Sequence, residues 1–203
     1  MKNQSQYSVL VIAGLWNHAI INPDWVSKYL LPNSELKVEI PLNVNGSMKI
    51  STDEISLYAV EGKLNFAIQK HTDEVLLKIG DMASQIADYL PHTPVSAFGL
   101  NYIFEDDHNP EMDKLFQFTD SESIKDNGYN LEIASITRKL KKDNYVLTLV
   151  ITRSEKNYSY NFNYNYNINS LTYFKTKFES KSLINYKNDS LKLLSELYKL
   201  ELE

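Results

Sequence analysis

The longest regular pattern in the chain is a strict alternation of apolar and polar residues in its last third. Every even position from Tyr158 to Ile168 is aromatic or Ile, and every odd position between them is Asn or Ser. Because successive side chains of a β-strand point to opposite faces, this period of two predicts a strand with one aromatic face. The even positions, termed the aromatic ladder, are Tyr158, Tyr160, Phe162, Tyr164, Tyr166 and Ile168.

Shorter alternating runs predict further strands, joined as antiparallel meanders. A buried strand is predicted from Val9 to Trp16, and a half-buried strand follows in which Leu36, Val38 and Ile40 face the core. Further strands are predicted in the segments MKIST, EISLYAV, KLNFAIQK and PVSAFGLNYIFEDD. The strands predicted in the last third are 131–140, 145–152 and the ladder strand.

Apolar residues spaced three and four apart predict the helices. The first begins with Asn22 as N-cap and Pro23 in the first turn, and Pro32 ends it. The strongest helix lies in TDEVLLKIGDMASQIADYL, where Thr72 or Asp73 can cap the N-terminus. Gly80 in its middle is unfavourable in a helix, so we expect it to permit close approach to the sheet. Shorter helices are predicted in PEMDKLFQF, over 171–179, and over 190–202 with a cap at 188–190.

These elements predict an α+β fold, built from antiparallel β-meanders with helices packed on one face. One organisation has a β-α-β-meander-helix-strand subdomain at 1–105, an acidic connector at 106–128, and a three-strand meander with C-terminal helices at 129–203. The alternative is one compact domain over 1–203. The segments KLNFAIQKHTDEVLLKIG and KSLINYKNDSLKLLSE resemble each other, which suggests two similar subdomains. A strand, a polar turn and an apolar helix would produce the same likeness without duplication.

Composition and charge narrow the functional classes. The chain has no cysteine, which excludes disulfides and thiolate chemistry and fits a cytoplasmic location. No apolar run approaches the ~18 residues of a membrane span, so we expect no membrane association. Residues 1–128 hold 18 acids and 9 bases, whereas residues 129–203 hold 8 acids and 12 bases. Such asymmetry can mark a nucleic-acid surface. The presence of only two arginines, Arg138 and Arg153, argues against it.

The aromatic ladder has three interpretations. It can form one wall of the core, since burying each large apolar side chain contributes ~1.5–3 kcal/mol. It can instead serve as a stacking platform for the bases of a single-stranded nucleic acid, next to a basic hairpin. It can also pair at the sheet edge with a partner or a second copy of the chain. The candidate binding residues are Tyr158, Tyr160, Phe162, Tyr164, Tyr166, Arg138, Lys139, Lys141 and Lys142.

Recognisable catalytic motifs are missing from the sequence. The six glycines never fall two apart, which removes the dinucleotide fingerprint and the P-loop. No G-x-S-x-G or H-E-x-x-H occurs, so no catalytic residue and no cofactor is predicted. Asp106, Asp107 and His108 are candidates for divalent-cation ligands, but a solvated acidic loop is the favoured interpretation of this segment.

The leading functional hypothesis is therefore a non-enzymatic binding or assembly protein that acts through an exposed sheet surface or edge. Its partner would be another protein or a second copy of the chain. Two alternatives remain open. One is a single-stranded nucleic-acid binder that uses the ladder strand and the lysine-rich hairpin. The other is a metal-assisted hydrolase centred on the acidic segment.

Overall fold

The computed structural model describes residues 2–3, 7–17, 19–41, 48–60, 62–107, 110–142 and 144–200. It confirms the predicted α+β class, because the strands form one antiparallel sheet and α-helices make up the other secondary structure. None of the helices in these ranges is long and apolar enough to cross a membrane.

The described strands are β1 (Lys2–Asn3), β2 (Tyr7–Gly14), β3 (Lys37–Glu39), β4 (Lys49–Ser51), β5 (Ile55–Val60), β6 (Lys63–Ile68), β7 (Val95–Asp107), β8 (Ala134–Lys142), β9 (Tyr145–Arg153) and β10 (Asn157–Asn167). The described helices are α1 (Pro23–Tyr29), α2 (Asp73–Tyr89), α3 (Pro110–Asp113), a 3-10 turn (Lys114–Phe116), α4 (Ser121–Asp126), α5 (Leu171–Lys177) and α6 (Ser182–Tyr198). As predicted, Asn22 and Thr72 cap α1 and α2, each accepting a backbone N–H with its side chain.

The sheet order is β3-β4-β5-β6-β2-β7-β10-β9-β8, and β1 pairs with β7 beside this path. All neighbouring strands are antiparallel. The order is alike on either side of the central β2–β7 pair. In one half β2 lies beside β6, and α2 follows β6 in the chain. In the other half β7 lies beside β10, and α5 follows β10. The two outer edges differ in length, since β3 has three residues and β8 has nine.

A layer containing α2, α5 and α6 covers one face of the sheet. Phe98 of β7 stacks on Tyr166 of β10, with ring centroids 4.5 Å apart, and meets Phe174 of α5 edge to face. The Tyr102 hydroxyl of β7 donates to the Leu183 carbonyl at the start of α6, 2.7 Å away. Because side chains alternate along each strand, the residues between these positions form the opposite face, termed the open face.

The prediction that Leu36, Val38 and Ile40 face the core was wrong for Val38 and Ile40, whereas Leu36 packs against the core. Val38 is 39% exposed and Ile40 is 72% exposed, while Leu36 is only partly buried. β3 pairs on one side only, so it lies at the margin of the sheet. Alternation alone cannot distinguish an edge strand from a strand that is covered by helices.

Gly80 permits a close approach, but to a different neighbour from the one expected. A Cβ built on Gly80 would lie 2.2 Å from the carbonyl oxygen of Ser180, in the loop between α5 and α6. The sheet is therefore not the partner. The missing side chain lets α2 pack directly against the backbone of the last helical pair.

We predict that Gly80→Ala destabilises the protein, although alanine normally stabilises a helix interior by ~1 kcal/mol relative to glycine. The new methyl would collide with a backbone carbonyl, which has no rotamer to escape into. We expect a loss of about 1–3 kcal/mol in the free energy of unfolding, measured by urea denaturation. Asp81→Ala, at the neighbouring exposed position, is the control and should change that free energy by less than about 0.5 kcal/mol. A more stable Gly80→Ala variant would contradict this packing.

The last helix begins earlier than predicted. α6 starts at Ser182 and ends at Tyr198, so the cap proposed at 188–190 lies inside the helix and was wrong. Residues 201–203 fall outside the described ranges. The proposed sequence match between 63–80 and 181–196 also fails, because the first segment contains a strand and the second is helical apart from Lys181. By sheet position, the counterpart of β6 is β10.

Candidate functional site

The aromatic ladder forms an inner wall of the core. Its six side chains are between 0% and 7% exposed. The Tyr164 hydroxyl shares a hydrogen bond of 2.9 Å with the Ser190 hydroxyl of α6, and the Tyr158 hydroxyl donates to Asp113 at 2.5 Å. Tyr166 shares a hydrogen bond with Tyr186 of α6. A base could reach these rings only after the helices had separated from the sheet.

Burial also makes the ladder tyrosines poor acid–base groups. It raises the pKa of Tyr158 to about 12, and the hydrogen bond to Asp113 adds to the shift. Burial likewise raises the pKa values of Tyr160, Tyr164 and Tyr166 well above the usual value for a phenol. Within the described residues, the Tyr160 hydroxyl is buried without a hydrogen-bond partner. These hydroxyls stay protonated at neutral pH, and those of Tyr158, Tyr164 and Tyr166 link the sheet to helical residues.

The basic hairpin residues divide between the two faces of β8. Arg138 points to the helix face, where its Nη1 donates to the Tyr198 hydroxyl at 2.8 Å and its guanidinium lies 5.5 Å from the centre of that ring. Lys142 lies on the same face, beside α6. Lys139 and Lys141 alternate with these positions and are exposed on the open face. The predicted binding set is therefore not one surface, since Lys139 and Lys141 lie opposite the ladder rings.

The acidic segment does not assemble a metal site in the part of the chain that is described. Asp113 accepts a hydrogen bond from Tyr158 and pairs with Arg153, whose Nε is 3.1 Å away. Asp106 is the cross-strand neighbour of Tyr158, whereas Asp107 belongs to the opposite face of β7. His108 lies outside the described residues. Among described side chains, no three of His, Asp or Glu could hold one ion.

Among the described strands, the outer edge of β8 is the longest edge without a neighbouring strand. β8 pairs with β9 from Ala134 opposite Arg153 to Lys142 opposite Tyr145, and the sheet order ends there. Because an antiparallel strand bonds each neighbour through alternate residues, about half of its backbone N–H and C=O groups face outward. No described residue forms a backbone hydrogen bond to them. This edge, termed the β8 edge, is a template for one more strand.

An exposed apolar segment leads into the β8 edge. Tyr129, Leu131 and Ile133 are 69%, 47% and 64% exposed, and they precede β8 directly. The sequence prediction placed Leu131 and Ile133 inside a strand, but the strand begins only at Ala134. Their alternation continues the strand pattern beyond the residues that pair in the sheet. It did not reveal that these three side chains are exposed in the described structure.

The two ends of the sheet also differ in charge. At the short edge, Lys37 pairs with Asp53 at 2.6 Å and Lys49 pairs with Glu39 at 2.9 Å. β8 carries four basic residues and no acidic one. Its lysines form no ion pair with any described side chain. In the described part of the chain, the β8 edge is therefore the end of the sheet whose positive charges have no acidic partner.

Comparison with known proteins gives no independent assignment. No protein-family model matches the sequence, and a search of curated proteins finds no significant match.

Proposed function

We propose that this protein is a non-enzymatic binding protein that takes an extended, acidic segment of a partner protein as an additional strand along the β8 edge. The observation that carries the proposal is the combination of a long edge without a described neighbouring strand and lysines that have no acidic partner among the described side chains. In strand addition, main-chain hydrogen bonds supply affinity and alternate side chains supply specificity.

The alternation of β8 fixes what the added strand should carry. Lys139 and Lys141 share the open face, so acidic residues at every second position of the added strand would lie beside them. Cross-strand pairs of opposite charge contribute about 0.2–1 kcal/mol each. The exposed segment from Tyr129 to Ile133 would extend the contact with apolar area at one end of the same edge.

A second copy of the chain is the weaker candidate for this edge. Pairing two β8 strands would place four basic residues from each copy on neighbouring strands, without any acidic residue from either strand. Lysines on an edge strand are a known means of preventing such edge-to-edge association. An acidic partner removes this repulsion, and for that reason we propose a partner protein and not self-association. The absence of cysteine supports a partner in the cytoplasm.

The nucleic-acid alternative has less support than the proposed one. Arg138 is held by Tyr198 and Arg153 by Asp113, so both arginines of the chain are engaged inside the protein. The ladder rings that would stack on bases are buried. Lys139 and Lys141 remain as phosphate contacts, and binding of an oligonucleotide is therefore one outcome to be measured.

The test uses a labelled peptide of sequence Glu-Thr-Glu-Thr-Glu-Thr-Glu and its counterpart in which Lys replaces each Glu. We expect the acidic peptide alone to bind, with amide chemical-shift changes concentrated at β8. Lys139→Glu combined with Lys141→Glu should weaken binding at least about tenfold, because two attractive pairs become repulsive. Fluorescence anisotropy at low and moderate salt measures the affinities.

Lys63→Glu is the matched control, because Lys63 is exposed on the open face at β6, away from the β8 edge. It changes the net charge in the same direction and should leave peptide affinity within about twofold. Equal binding of the two peptides would refute the proposal. An oligothymidylate that binds through the same lysines, with no binding of the acidic peptide, would establish the nucleic-acid alternative instead.

A further inference from the structure

We infer that the partner segment also carries an aliphatic side chain, which enters a groove between α6 and the helix face of β8, β9 and β10. This inference rests on the proposed strand addition and specifies its sequence requirement. The groove has a volume of about 270 Å³. The apolar residues that line it are Leu140, Tyr145, Leu147, Tyr164 and Leu193.

The floor of the groove is a cross-strand row that becomes more exposed toward the β8 edge. Leu140 of β8 pairs with Leu147 of β9, which in turn pairs with Tyr164 of β10. Their exposed fractions are 40%, 3% and 1% in that order. A strand added outside β8 would lie about 4.8 Å beyond it and continue this row by one residue. An apolar side chain at that position would cover Leu140, which the described structure leaves open.

The size and charge of the groove favour a side chain over a small molecule. About 270 Å³ is below the roughly 300–1,000 Å³ of most small-molecule sites. The charged groups at its rim are balanced, with Lys142 and Lys192 against Asp189 and Glu196. Lys192 and Glu196 lie one helical turn from each other on α6, and the distance from Lys192 Nζ to Glu196 Oε1 is 3.7 Å. A neutral apolar group therefore suits the groove, while acidic selectivity resides at Lys139 and Lys141 on the opposite face.

These two faces together predict a partner segment whose side chains alternate in kind. Acidic residues would point toward the open face, and an aliphatic residue would point toward α6. The probes are Glu-Thr-Glu-Leu-Glu-Thr-Glu and the same peptide with Ala in place of Leu. We expect the wild-type protein to bind the leucine probe about tenfold more tightly. In Leu140→Ala and in Leu193→Ala, this ratio should fall below about threefold, because each removes part of the groove wall.

Val146→Ala is the control, since Val146 is 38% exposed on the open face beside Lys141 and truncation there should leave the ratio unchanged. Thermal unfolding of each variant checks that the fold is retained. A wild-type ratio close to one, with both acidic probes bound, would refute the groove and leave the strand-addition proposal intact. If neither probe binds, both proposals fall.

Discussion

Replacing Phe162 by alanine should lower the free energy of unfolding by about 3–5 kcal/mol, the range typical of a fully buried phenylalanine. Phe162 is 0% exposed at the centre of the aromatic ladder. Its ring meets that of Phe104 edge to face, with centroids 6.0 Å apart. Truncation removes this contact and leaves a cavity under the helical layer, which the surrounding strands cannot close. Urea denaturation followed by circular dichroism measures the change.

Asn161→Ala is the matched control for the ladder. Asn161 is adjacent in the same strand but is exposed on the open face, so its truncation should change the free energy of unfolding by less than about 0.5 kcal/mol. The difference between the two variants tests whether the alternation separates a core face from a surface face. Similar costs at both positions would show that the open face is also buried, in a complex or an assembly.

The second large effect is unfolding at alkaline pH. Burial is the main cause of a raised pKa at seven tyrosines, namely Tyr7, Tyr102, Tyr158, Tyr160, Tyr164, Tyr166 and Tyr198. At pH below 10 both the folded and the unfolded chain keep these protons, so the tyrosines add no pH dependence. At higher pH the unfolded chain releases them first, and the folded state loses stability.

The steepness with which the free energy of unfolding falls as pH rises depends on the number of tyrosines that have a raised pKa. Each tyrosine lowers the free energy of unfolding by about 1.4 kcal/mol per pH unit between its unfolded and folded pKa. For Tyr7 and Tyr158 that window runs from 10 to about 12. Because domain stabilities are about 5–15 kcal/mol, several such groups suffice to unfold the protein in this window. We expect one steep transition, seen together in circular dichroism and in phenolate absorbance.

Two phenylalanine variants separate this effect from the titration of lysines. Tyr160→Phe removes a buried hydroxyl that has no partner among the described residues, so we expect unchanged or higher stability at neutral pH. Tyr164→Phe loses the hydrogen bond to Ser190 and should cost about 0.5–1.5 kcal/mol there. Both should make the loss of stability with pH less steep. An unchanged slope in both variants would contradict the role of buried tyrosines.

Sequence patterns predicted the ladder strand well because its alternation is long and its aromatic residues are large. Burial of six such side chains outweighs any other placement of the strand, and the structure shows them at 0–7% exposure. The short run at 36–40 has the same alternation with smaller, aliphatic side chains, and there the predicted burial was wrong for Val38 and Ile40. Its strand is the margin of the sheet, a position that depends on the order of strands and not on local pattern.

Helix boundaries show a similar limit. The start of α1 at Pro23 was predictable because Asn22 and Pro23 are local capping signals. The start of α6 at Ser182 was not, since the polar residues Asn188 and Asp189 resemble a helix start when considered alone. Buried Leu183 anchors the earlier turns against the sheet, and this tertiary contact overrides the local signal.

The candidate site was predicted only in part. The lysines of the hairpin were identified from sequence, but their division between two faces of β8 required the register of the sheet. The groove beside α6 was not foreseen, because it joins residues from β8 to β10 with residues of α6 that lie 25 to 56 positions later in the chain. No local pattern records such a distance.

The sequence by itself determined the fold class, the ladder strand with its aromatic face and the excess of basic residues in the last third, because these depend on side-chain size, periodicity and charge. Tertiary structure alone decided that β8 would be an outermost described strand, that its lysines would have no acidic partner among the described residues, and that Leu140 would remain 40% exposed beside α6. Strand order joins segments far apart in the chain, so an edge and a groove exist only once the sheet has formed.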